Sequence, residues 1–230
     1  MWDNHRLLSG VATGLYAVAG LLLAYAICVA VVRLPIFPIR KVEVSGQIAH
    51  ITQNQVQQIV ARELKGNFFT LDLEQARAAF EKLPWVRRAN VRRQWPDRLL
   101  VELEEQVAIA RWRDSALVNP YAEVFQAASN DVLPVFVGPD GTALEVYRHY
   151  QSFSRTLASL GKRPREIVLS DRGAWRVTLE NGEVLELGRE QMDERLQRFV
   201  AAYPHTLAQL SAMRLRIDLR YPNGFTVRGG

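Results

Sequence analysis

The chain has 230 residues, 48% of them hydrophobic and 23% charged, a balance that sustains a folded core and excludes a disordered polymer. Its formal charge of +5 permits contact with anionic lipid, but no basic-and-aromatic platform accompanies it, which argues against nucleic acid as a partner. The lone cysteine, Cys28, lies in an apolar run, so the folded part has no disulfide available.

From Leu7 to Val32 no side chain is charged, and Arg6 and Arg33 close the run. At about 1.5 Å per residue it is long enough for the ~30 Å hydrocarbon core of a bilayer. Ala24-Tyr25-Ala26 has the form of a signal-peptide cleavage site. The apolar run nevertheless continues through Ile27 to Val32, so the segment reads as a retained anchor. Counted literally, Arg33, Arg40 and Lys41 outweigh Arg6 and Asp3, which would put the large domain in the cytoplasm. Long domains translocate largely regardless of such charges, so direction is open at this point.

Beyond the anchor, Pro35 and Pro38 favour an extended link. Val42 and Val44 alternate with polar residues in a short strand that stops at Gly46. Thr52 and Gln55 form a capping box for a helix with Val56, Ile59, Val60 and Leu64 on one face and Gly66 as its stop. Asp72 caps a second helix, with Leu73, Ala76, Phe80 and Leu83 inward. Two strands follow: 86–95, then a run in which Leu99, Val101 and Leu103 alternate with polar residues, joined by a turn at Trp95-Pro96-Asp97-Arg98.

A second region opens at Ala108. Asn119-Pro120-Tyr121-Ala122 breaks two short strands without the glycine expected in such a turn. Leu133 to Val137 is a further strand. A helix capped by Thr142 and Glu145 carries Leu144, Tyr147, Leu157 and Leu160. The segment 167–169 is extended, and Asn181-Gly182 joins two strands in a hairpin. The spacing of Leu196, Phe199, Val200 and Tyr203 predicts a helix ending at Pro204. Leu215, Ile217 and Leu219 alternate with charged residues, and Phe225 to Arg228 is the last strand.

No nucleophile motif, phosphate loop or dinucleotide fingerprint occurs, and no cofactor is implied. His5, His50, His149 and His205 have no ligand partner at helical spacing and read as surface residues. Glu102 and Glu104 fall on the solvent face of a strand rather than in an acid–base pair. Arg87-Arg88 and Arg92-Arg93 read as a solvated sheet face. The chain is expected to be an anchored, non-enzymatic module with exposed strands.

An ordered set of segments then carries a resemblance. Val42 to Gly46, Asn67-Phe68-Phe69-Thr70-Leu71-Asp72, Leu83-Pro84-Trp85-Val86, Val91 to Asp97, Ala110-Arg111-Trp112, Leu187-Gly188-Arg189 and Asp218-Leu219-Arg220-Tyr221 with Asn223-Gly224 resemble the FtsQ/DivIB family of bacterial cell-division proteins. The resemblance implies an α+β architecture: a cytoplasmic tail at 1–6, a transmembrane helix at 7–32, a linker at 33–39, a POTRA domain at 40–106 and a C-terminal β-rich domain at 107–230 with an exposed final strand. It places the bulk in the periplasm, against the charge count. The implied function is a divisome scaffold at the septum that recruits an FtsB/FtsL-like complex by strand addition, and POTRA edges offer sites to other division proteins. The partner-binding role carries over to Arg220, Tyr221, Asn223 and Gly224, to Phe225 in the last strand, and more loosely to Arg172. A POTRA-bearing transport or secretion component is the rival reading; it calls for repeated POTRA units or a fused barrel.

Overall fold

The structure, a computed structural model, describes residues 5–34, 37–46, 48–206, 215–221 and 224–229. It divides into two units, Met1–Glu105 and Gln106–Gly230.

The first unit begins with α1 (His5–Arg33), within which Ser9–Val32 is long and apolar enough to cross a membrane and is not covered by protein. A helix of this length and composition is suited to the hydrocarbon of a bilayer. Next come β1 (Lys41–Ser45), α2 (Gln53–Glu63), α3 (Leu73–Glu81), β2 (Val86–Gln94) and β3 (Arg98–Glu105). The strands form a sheet in the order β1-β3-β2, with β1 parallel and β2 antiparallel to β3. Val56, Ala76 and Phe80 from the helices pack against Val91, Leu99, Val101 and Leu103 from the sheet in one buried cluster.

Both caps form. Thr52 and Gln55 exchange side-chain-to-backbone bonds, and Asp72 accepts from the amides of Glu74 and Gln75. Helix α2 stops at Glu63, before Gly66, whose positive φ of 119° serves the following turn instead. On the open face of the sheet, Arg87 pairs with Glu104 at 2.7 Å and Arg92 with Glu102 at 2.8 Å. Only part of the arginine run is the solvated face expected: Arg92 and Glu102 are exposed, and such a pair contributes little to stability, whereas the Arg87 side chain is only 11% exposed and Arg93 donates to the carbonyl of Leu71 at 2.6 Å.

The second unit contains β4 (Ala110–Trp112), β5 (Ala116–Val118), β6 (Val124–Phe125), β7 (Val135–Val137), α4 (Ala143–Ala158), β8 (Pro164–Leu169), β9 (Trp175–Leu179), β10 (Val184–Gly188), α5 (Met192–Thr206), β11 (Leu215–Asp218) and β12 (Thr226–Gly229). Its strands form one sheet in the order β12-β11-β10-β9-β8-β7-β4-β5-β6. Phe153 and Leu157 of α4, with Leu196 and Phe199 of α5, share a core with Ile167, Val177, Leu185 and Ile217.

Three local expectations are corrected. Thr142 does not cap α4; its hydroxyl donates to the carbonyl of Pro139 at 2.7 Å. The buried stripe of that helix is Ala143, Val146, Phe153 and Leu157, with Tyr147 and Leu160 packed against the same core as expected, while Leu144 is exposed. Helix α5 runs two residues past Pro204. In the turn at Asn119 no glycine is needed, because the fully buried Asn119 organises it. Its Oδ1 accepts from the amides of Tyr121 and Glu123, and Ala122 takes the left-handed position at φ 62°.

Candidate partner-binding site

The last two strands end the sheet, and their register fixes what they present. In β11, Leu215 and Ile217 point into the core and Leu219 continues the pattern. The amide of Leu219 donates to the carbonyl of Glu186 at 2.9 Å, extending the parallel pairing with β10. Residues 217 and 219 therefore turn their backbone groups toward β10, and Arg216 and Asp218 turn theirs toward β12. Arg216 lies opposite Arg228 and Asp218 opposite Thr226. It follows that Val227 and Gly229 aim their N–H and C=O groups outward. Among the described strands nothing pairs with that side of β12, so it is an open hydrogen-bonding edge.

Side chains on β12 alternate in the opposite sense to the edge. Val227 packs on the core, and Phe225 just before the strand meets Phe199 edge-to-face with ring centroids 6.1 Å apart. Phe225 therefore serves the core with its ring. Thr226 and Arg228 face away.

Arg220 lies just past β11. Its Nε and Nη2 donate to Asp218 at 2.8 and 2.6 Å, and its own amide donates to Asp218 Oδ1 at 3.1 Å. These bonds to the Arg220 side chain hold the Asp218 carboxyl below its usual range, against the opposing effect of partial burial. A depressed carboxyl stabilises the fold above the ordinary carboxylate range and loses that contribution as pH falls through its folded-state value. With Arg220→Gln, the Asp218 carboxyl is expected to titrate higher than in the parent protein, as followed by its carboxyl carbon resonance.

The Arg220 stem lies across Gly188. A Cβ there would stand 3.1 Å from Arg220 Cγ and 2.7 Å from Arg195 Nη1, and the backbone φ is +81°. Gly188→Ala is expected to cost at least about 1 kcal/mol and to displace Arg220, seen as a lower denaturation midpoint together with weaker partner capture.

Tyr221 is half exposed, so it is not a core tyrosine. Arg172 is exposed in the turn at 170–174, where Ser170 bonds the amides of Gly173 and Ala174. Trp175 lies opposite both Leu169 and Gly188, and Glu186 opposite Asp218. The Arg172 turn, Gly188, Arg220 and the start of β12 therefore share one end of the sheet. Three strand spacings of about 4.8 Å separate the turn from β12, roughly 15 Å. Gly224 is exposed, with open space where a Cβ would project. Asn223 lies outside the described residues.

Two features had no mark in the sequence reading. Glu186 accepts from Arg176 at 2.8 Å and from Arg216 at 2.6 Å. The cross-strand Arg216–Arg228 pair, two like charges on facing positions, leaves the outer face of this edge basic. The alternation of Arg216 and Arg220 with apolar residues is a signal for the basic side, but the acceptor Glu186 lies 30 residues from Arg216 in sequence, on the neighbouring strand β10. Among the described residues no group of three or more His, Cys, Asp or Glu is placed to hold a metal ion.

Comparison with known proteins supplies the deciding observation. Residues 37–106 match the model described as "POTRA domain, FtsQ-type", and residues 110–220 match "Cell division protein FtsQ/DivIB, C-terminal". The chain belongs to the FtsQ/DivIB family. It is 44% identical over 234 residues to the cell division protein FtsQ of Nitrosospira multiformis, covering 100% of this chain and 99% of that one. Identity to the FtsQ of Burkholderia pseudomallei is 43%, over 99% of this chain and 94% of the relative. For the FtsQ of Neisseria gonorrhoeae it is 33%, over 99% and 95%. With α1, family membership makes this a single-pass membrane protein with a role in cell division. The C-terminal family match stops at Arg220, so the edge from Tyr221 onward stands on its own geometry.

Proposed function

We propose that the chain is a non-enzymatic scaffold of the division septum that captures an FtsB/FtsL-like complex by strand addition at β12. The observation that carries this reading is the outward row of backbone groups on Val227 and Gly229, at the end of an otherwise continuous sheet. A partner strand laid there would complete the ladder, as in other cases of β-augmentation. Tyr221 and Arg220 beside it are the residue types that dominate interface energetics, Arg172 and Gly224 extend the same contact area, and Asn223 is included by the family resemblance alone. Arg216 and Arg228 favour a partner segment with acidic residues.

In this reading residues 1–6 are cytoplasmic, 7–32 span the inner membrane and 33–39 link to a periplasmic POTRA domain at 40–106. Residues 107–230 form the partner-binding β domain. A second edge that is unpaired among the described strands, β1, adjoins a groove of about 650 Å³ lined by Val42, Val44, Val56 and Val60, which suits contact with further division proteins. A POTRA-bearing transport component would share only the first unit, and the family match over 110–220 favours division.

Replacing Tyr221 with Ala should reduce capture of the FtsB-like partner from membranes by about tenfold or more, in the range of an interface hot spot. Unchanged capture by a folded Tyr221→Ala protein would remove Tyr221 from the site. A reporter fused after Gly230 tests orientation separately, and activity confined to the cytoplasm would contradict it.

A further inference from the structure

The last carbonyls of a membrane helix lack intrahelical partners, and at the edge of the hydrocarbon they cannot be left unpaired cheaply. Here one side chain from the POTRA region meets them. Asn67, buried to 6% exposure, donates through Nδ2 to the carbonyls of Val32 at 2.7 Å and Leu34 at 2.9 Å. The other end of the same amide holds its own turn: Oδ1 accepts from the amides of Phe69 and Thr70, each at 2.9 Å. A backbone bond from Phe68 to the carbonyl of Phe37, 2.8 Å, ties the link to this turn a second time.

That geometry limits how far Phe69 can lie from the membrane. Its amide bonds the side chain that bonds Val32, the last residue of the span. A polar layer of roughly 5–7 Å flanks the hydrocarbon core on each side. A residue joined to the end of the span through a single amide group falls within that layer. Phe69 is nonetheless 45% exposed, and its ring meets Phe37 edge-to-face at 5.0 Å. Arg93 reaches the carbonyls of Leu71, at 2.6 Å, and Phe69, at 3.3 Å, and so braces the turn from the sheet side. An aromatic pair with one ring exposed and the other half-buried, fixed at the height of the headgroups, is an arrangement that interfacial anchors use.

We propose that Asn67 locks the first unit onto the last turn of the membrane helix, and that Phe37 and Phe69 form a lipid-contacting foot in the headgroup layer. The binding partner of this surface is the bilayer itself. The proposal depends on α1 spanning a membrane and is independent of what β12 binds.

The test uses the full chain with Cys28→Ser, spin-labelled at Phe69→Cys and reconstituted in vesicles of phosphatidylcholine and phosphatidylglycerol. The ratio of collision rates with oxygen and with a water-soluble nickel chelate reports depth. At position 69 this ratio is expected to be several-fold higher than at a Val132→Cys control, a position that is fully exposed in the second unit. A water-like ratio at 69 overturns the lipid contact. Asn67→Asp then isolates the lock, because it keeps the acceptor for the turn and loses only the donors to Val32 and Leu34. With it, the ratio at 69 should fall toward the control while the thermal unfolding of the POTRA domain is retained. An unchanged ratio overturns the lock.

Discussion

Glu183→Ala is expected to destabilise the second unit by about 3–5 kcal/mol, the range for breaking a buried ion pair by removing one partner. Glu183 has no exposed surface. One oxygen accepts from Lys162 Nζ at 2.8 Å and the other from the Tyr203 hydroxyl at 3.0 Å. The Lys162 ammonium also sits 4.5 Å above the Tyr203 ring, and its side chain is only 13% exposed. Three segments converge on this carboxylate: the end of the α4–β8 connection, the β9–β10 turn and α5. Alanine leaves a mostly buried cation and an unsatisfied hydroxyl. The melting midpoint of the isolated change should fall by roughly 10 °C or more. Exchanging both charges, Glu183→Met with Lys162→Met, should recover most of the loss, because a buried pair is often replaced by apolar side chains at little net cost. A single-variant loss below about 1 kcal/mol would mean that solvent reaches the pair and screens it.

Residue patterns carried the local structure where one face of an element is buried. The alternation of Leu99, Val101 and Leu103, and of Leu215, Ile217 and Leu219, survives directly as buried and exposed positions. Caps at Thr52 and Asp72 were legible because each is complete within four residues. Thr142 misled for a physical reason: a threonine before a helix has a competing acceptor in the turn behind it, here the Pro139 carbonyl. Glu183 was invisible because it follows Asn181-Gly182, where a glutamate reads as solvated, and its partners lie 20 and 21 residues away. The site divides along the same line. Arg220 and Tyr221 were marked by a local motif, but only strand order and register show that the Arg172 turn reaches the same end of the sheet. The inward turn of Phe225 and the outward row at Val227 and Gly229 likewise depend on pairing, which no single strand encodes. Asn67 belonged to a recognised segment, yet its bonds to Val32 and Leu34 span 35 and 33 residues.

Val227→Pro should abolish strand addition while leaving the domain folded, and this separates the edge from the side chains around it. Proline removes one N–H and fixes φ near −65°. At position 227 the lost N–H points outward, because the ladder to β11 runs through Thr226 and Arg228. The β11–β12 bonds are therefore kept, and the incoming strand loses a donor and meets the ring. A loss in capture of about tenfold or more is expected, since one unmade hydrogen bond alone accounts for about 1 kcal/mol. Val227→Ala is the control: it trims the side chain that rests on the core but retains the N–H, so its effect on capture should be small by comparison. Thr226→Pro acts on the opposite side of the strand. It removes a donor to Asp218 and should loosen β12 itself, visible as faster amide exchange at Arg228. If Val227→Pro binds as well as Val227→Ala, the partner does not use the backbone of β12. Recognition would then rest on Arg220 and Tyr221 alone. If it loses binding with β12 still protected from exchange, the outward backbone row is the surface that holds the partner.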